Sequence, residues 1–150
     1  MVLIGLLGTV AGGCGDKQVS ITQTARLKQN LIEDLDWYYA AARAGVDTQT
    51  AQKLYRKAYT KDAVSRAYRE LRSAQAKRSG NSATFDQSRV VSAAIRETIG
   101  TGTAVKLTGS INVAFDHGRY RYKYRMVAVM RFASGRWRFQ TLGLSGGVAP

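Results

Sequence analysis

Residues 119–125 read RYRYKYR, a strict alternation of charge and aromatic ring. The chemistry this pattern supports is anion binding. Successive side chains of a strand point to opposite faces, so Arg119, Arg121, Lys123 and Arg125 share one face and Tyr120, Tyr122, Tyr124 and Met126 the other. Arg136 and Arg138 alternate with Trp137 and Phe139 in the same way. With Lys106 and Arg131 these charges make one expected cationic face: Lys106, Arg119, Arg121, Lys123, Arg125, Arg131, Arg136 and Arg138. Between Thr103 and Ser145 these eight basic residues stand against one acid, Asp116. Like charges opposite one another destabilise a sheet, and no acid is expected on this face to offset that. Rings that stack bases would share a face with the charges; here they oppose them, so the rings are expected in the core.

Other candidate chemistry is sparse. Asp34 is an acid beside an apolar helix face, about 20° from Leu27 and about 40° from Tyr38 on a wheel of about 100° per residue. As i and i+4 neighbours, Asp34 and Tyr38 could form an acid and phenol pair at a pocket mouth; the alternative is a boundary carboxylate paired with a basic residue of another helix. His117, the single histidine, sits in a turn between Asp116 and Gly118. Without His or Cys partners it supports neither a zinc site nor a Ser/His/Asp arrangement. Residues 8–13 have the glycine spacing of a phosphate loop, but Cys14 stands where that motif needs Lys. Arg66, Arg69 and Arg72, with Lys61, Lys77 and Arg78, form a second basic strip that reads first as a solvated helix face. No metal and no cofactor are implied.

The single cysteine, Cys14, follows an apolar, glycine-rich start, MVLIGLLGTVAGGC. An apolar run of about ten residues has the length of a secretory core and falls short of the about 20 that span a bilayer. The segment resembles a bacterial lipoprotein signal, in which the cysteine becomes the lipidated first residue. It departs from the usual pattern at Ala11, where Leu is common, and carries no Lys or Arg ahead of the apolar run. Ala11-Gly12-Gly13 would equally serve an ordinary signal peptidase, and a buried N-terminal strand is the structural alternative.

One cysteine excludes an intramolecular disulfide, so stability must come from packing. A hydrophobic content of 45% argues against disorder. Lys and Arg total 23 against 10 acids, a formal net charge of +13. That balance favours anionic partners: an anionic membrane surface, an envelope glycan, a protein of an envelope assembly, or, less favoured, nucleic acid.

Positioning elements follow from periodicity. Residues 1–13 read as a signal, 14–24 as a tether, 25–144 as one domain and 145–150 as a frayed tail. A helix is expected over 25–44, with Leu27, Leu31, Leu35 and Tyr38 on one face. A second, capped by Asp47 or Thr48, turns Ala51, Leu54, Tyr55 and Ala58 inward, and a third begins near Lys61. Thr84 and Gln87 suggest a capping box for a fourth helix over 85–99, although its Val and Thr-Ile pairs leave a strand possible. The period then changes to two. Strands are expected from Val105 to Phe115, Arg119 to Ala133 and Arg136 to Leu144, joined by turns at 116–118 and 134–135.

Helices with an aromatic-rich first member, then a meander ending in Gly135-Arg136-Trp137-Arg138-Phe139, resemble the nuclear transport factor 2-like superfamily, which includes ketosteroid isomerases and small bacterial lipoproteins. The resemblance implies an α+β fold: N-terminal helices on a C-terminal antiparallel curved sheet of three or slightly more strands, a cone with a pocket. Asp34, Tyr38, Tyr68, Tyr122 and Trp137 are its pocket candidates. The leading expectation is a non-catalytic, envelope-anchored lipoprotein whose cationic face binds an anionic component or partner, with a secretion or conjugation accessory role by analogy. A small-ligand-binding or isomerase-like enzyme using the pocket is one alternative, a nucleic-acid-binding protein the other.

Overall fold

The computed structural model describes residues 21–42, 46–77 and 88–148. Its elements run in the order α1 (Ile21–Ala42), α2 (Thr48–Ala58), α3 (Val64–Lys77), β1 (Arg89–Gly100), β2 (Ala104–Phe115), β3 (Tyr120–Ala133) and β4 (Arg136–Val148), with a single 3-10 turn at Asp116–Gly118 between β2 and β3. Cys14, the signal and the Thr84/Gln87 box lie outside the described residues.

The helices form where their apolar spacing requires. Leu27, Leu31 and Leu35 are all fully buried on α1. Asp47 caps α2 by accepting the Thr50 backbone N–H at 2.8 Å, and that bond with the Thr50 hydroxyl holds its carboxyl below the usual range. Ala51, Tyr55 and Ala58 then face inward, and Ala67 and Leu71 do so on α3.

The sheet has four strands, within the three or slightly more expected, in the order β1-β2-β3-β4, all antiparallel neighbours. It corrects two expectations. The expected helix over 85–99 is β1, paired along its length with β2. Gly109 explains part of that pairing: a Cβ there would stand 2.1 Å from the Ala94 carbonyl oxygen, so only glycine lets β1 approach this closely. Residues 145–148 of the expected frayed tail are the end of β4, which continues to Val148.

A third correction concerns the superfamily. A cone requires a sheet that curls around its helices. This sheet is an open meander in sequential order and is not curled. The nuclear transport factor 2-like resemblance, with its cone pocket, therefore does not hold. The Gly135-x-Trp137 feature that suggested it has a local cause: Ser134 and Gly135 both take positive φ, 53° and 81°, as a two-residue primed hairpin turn needs.

The core lies between the helices and one sheet face. Val105, Leu107, Ile111 and Val113 of β2, Met126, Ala128 and Met130 of β3, and Trp137 and Phe139 of β4 are buried against the helix leucines and tyrosines. The β4 edge is covered by the α2–α3 connection. Thr60 donates its backbone N–H to the Phe139 carbonyl at 2.9 Å, Gln140 donates to Asp62 at 3.0 Å, and Arg66 donates to the Gln140 carbonyl at 2.8 Å. β1 is the other edge, and its two register shifts, near Val91 and Arg96, interrupt the ladder that would template further pairing.

Candidate functional site

The outer face of the sheet carries no described helix and is dominated by β3. Alternation places Met126, Ala128 and Met130 in the core and leaves Arg121, Lys123, Arg125 and Arg131 exposed. Tyr122 and Tyr124 are half-buried on the inner side, packed against the core as expected.

The register resolves the expected repulsion. Arg121 faces Ala114, Lys123 faces Asn112, and Arg125 faces Ser110 on β2. On β4, Arg125 faces Ser145 and Val127 faces Gly143. Small side chains therefore flank the basic column on both sides, and the charges stand as a ridge without a like charge directly opposite. The exception is Arg131, which faces Arg138. Lys106 is exposed on the same face, opposite Ile99 and Val129. Arg119 precedes β3 and lies over the Tyr120 ring at 5.5 Å, a cation–π contact.

Two residues of this face were not foreseen. Arg89 of β1 faces Ala114 and extends the row of Arg121, and Glu97, opposite Thr108, places an acid on the face. Both were hidden because β1 reads locally as a helix; its β-branched pairs were the signal that pointed the other way.

Two expected residues leave the ridge. Arg136 turns to the helix layer, where it donates to Asp34 Oδ1 at 2.6 Å, lies 3.3 Å from Glu33 and stacks over the Trp37 ring at 4.5 Å. Arg138 donates to the Ala133 carbonyl at 2.5 Å and lines a groove beside α2 and α3.

Of the pocket candidates, Asp34 and Trp137 are fully buried and Tyr38, Tyr68 and Tyr122 half-buried. The basic partner of Asp34 comes from β4 rather than from another helix. Burial pushes its carboxyl up to about 8, against the pull of Arg136 and Arg138. Asp34 Oδ2 and Trp137 Nε1 are buried without a hydrogen-bond partner among the described residues. Tyr38 packs against Tyr39 and Tyr55 at ring distances of 5.2 and 6.0 Å, and Tyr68 against Tyr55 at 6.2 Å. Tyr122 meets Phe115 at 5.8 Å, and Trp137 meets Phe132 at 5.5 Å. Rings thus occupy the space between the layers, and burial pushes the Tyr55 and Tyr59 phenols upward, keeping them protonated. His117 is exposed in its turn with a positive φ of 56°.

Among the described residues no group of three or more His, Cys, Asp or Glu could hold a metal ion, and no helix is long and apolar enough to cross a membrane. No family model, curated protein or solved structure matches this chain.

Proposed function

We propose that this protein is a non-catalytic docking module, anchored in a cell envelope through a lipidated Cys14, which lays the outer face of its sheet on an anionic lipid surface. The observation that supports this reading is the ridge of Arg121, Lys123 and Arg125, joined by Arg131 and Lys106, on a face without a described helix. Val127, exposed, and Val129, half-buried, lie between Arg125 and Arg131 on that face, adding a small apolar contact. Each basic residue near an anionic leaflet contributes about 1 kcal/mol. A single acyl chain anchors only marginally, so a lipid anchor and a basic face act together. The seven residue steps from Cys14 to the start of α1 at Ile21 span at most about 25 Å, which keeps the domain close to the surface that the anchor selects.

Two measurements test this. Flotation with phosphatidylglycerol-containing vesicles should recover the protein at low salt and less of it as salt rises. Arg121→Glu/Arg125→Glu, both on exposed positions, should bind at least roughly thirty-fold more weakly, from about 2 kcal/mol for two charges. Equal recovery with phosphatidylcholine vesicles, or unchanged binding by the variant, would rule out the docking face; retention only on single-stranded DNA would favour a nucleic-acid role instead. Expression with labelled palmitate should label the wild type but not Cys14→Ser, and label on the serine variant would refute the anchor.

A further inference from the structure

A second cationic surface lies elsewhere, in an open groove of about 820 Å3 between α2, the start of α3 and the β3–β4 turn. Arg56, Lys61, Arg69 and Arg138 line it, and no carboxylate among the described residues does. Asp62 and Glu70, the acids nearest in sequence, are absent from the lining, and Asp62 accepts from Gln140 instead. Arg56, Lys61 and Arg69 make no ion pair with a described residue. On an ordinary solvated helix face, acids interleave with the bases. Gathering these four cations, three of them without an ion pair among the described residues, around one concavity raises the free energy of the empty protein, and a concave wall focuses their field.

A neutral donor joins them. Ser65 contributes a hydroxyl, whereas that of Thr60 already donates to Gln140 Oε1 at 3.2 Å. The helix α3 begins here, with Val64 and Ser65 in the lining, so the positive end of a 14-residue helix borders the groove. The Tyr68 side chain also lines the groove, with its hydroxyl buried and without a hydrogen-bond partner among the described residues.

We propose that this groove is a binding site for a phosphorylated ligand carrying two or more negative charges, separate from the sheet face and independent of its role. Arg56, Arg69 and Arg138 supply forked donors suited to phosphate oxygens, Lys61 a point charge, and Ser65 a hydroxyl beside the helix terminus. The shared chemistry is a phosphate group, free or on a lipid headgroup.

The test titrates the whole chain with pyrophosphate and, separately, with short-chain phosphatidic acid below its micelle concentration, read by calorimetry and by backbone amide shifts at physiological salt. Saturable one-to-one binding with shifts at Thr60, Ser65 and Arg66 is expected. Arg56→Gln/Arg69→Gln, on two exposed positions, should weaken it at least tenfold with an unchanged melting temperature, and Lys61→Gln should weaken it less. Arg121→Glu/Arg125→Glu should leave it intact, which separates this site from the docking face. Pyrophosphate alone binding assigns a free ligand, phosphatidic acid alone a headgroup, and either upholds the site. No saturable binding of either probe, shifts confined to β3, or full binding by Arg56→Gln/Arg69→Gln would overturn it.

Discussion

Trp137→Ala should unfold about 10–20 °C below the wild type, because removing a buried large aromatic costs about 3–5 kcal/mol. Trp137 is fully buried. It lies on β4 where the α1 layer meets the sheet: its backbone N–H donates to Asn30 Oδ1 at 3.0 Å, and its ring meets Phe132 at 5.5 Å. The alanine variant keeps the backbone bond and empties the space beneath it, so the loss reports packing. Trp137→Phe is the informative partner. It sacrifices part of the ring but also removes an indole N–H that is buried without a partner among the described residues. A buried unpaired donor costs about 1–3 kcal/mol, so the phenylalanine variant should recover most of the stability. A melting temperature for Trp137→Ala within error of wild type would mean the ring is exposed. The inner and outer faces of β4 would then be exchanged, and the cationic ridge with them.

The faces of β2, β3 and β4 were legible because a period of two, once read, fixes both sides of a strand at every residue. Lys106, Arg121, Lys123, Arg125 and Arg131 sit on the face that alternation gives them. What alternation cannot supply is where a long side chain goes at the end of a strand. Arg136 has the parity of the ridge, yet it follows the hairpin turn and reaches around to Asp34. Arg138 likewise turns into the groove. β1 was misread for a different reason. Val91, Ala94, Ile95 and Thr98 fit a helical face, and the factor that favours a strand, the Gly109 backbone admitting a neighbour, lies on another element. With β1 misplaced, Arg89 and Glu97 could not be assigned to the ridge. The groove was illegible for the same reason: its cations come from α2, α3, their connection and β4, and sequence spacing does not bring those four together.

Stability should also carry a pH signature from Asp34. In the folded protein its carboxyl is pushed up to about 8, chiefly by burial, whereas in the unfolded chain it titrates near 3.9. Between those values the native state holds a proton that the unfolded state has lost. The unfolded state binds fewer protons, so unfolding free energy falls as pH rises, by at most about 1.4 kcal/mol per pH unit. The slope begins above about pH 4 and levels off beyond about pH 8, where both states are ionised. The comparison that isolates the effect is with Asp34→Asn, which keeps the shape and cannot ionise, while every other group titrates alike in both proteins. Urea midpoints across pH 5 to 9 should show the asparagine variant gaining on the wild type up to about pH 8 and running parallel above it. Arg136 lies 2.6 Å from Oδ1 and draws the carboxyl back down. Arg136→Met should therefore raise it further and extend the slope to higher pH. Parallel curves for wild type and Asp34→Asn from pH 5 onward would mean that Asp34 is ionised throughout and that the guanidinium outweighs desolvation. The outcome bears on the surface as well as the core. The Asp34–Arg136 pair ties α1 to the edge strand beside β3, alongside the Trp137–Asn30 bond and the buried leucines of α1, so the charge state of this carboxyl acts on one of the contacts that hold the helix layer to the sheet that carries the ridge.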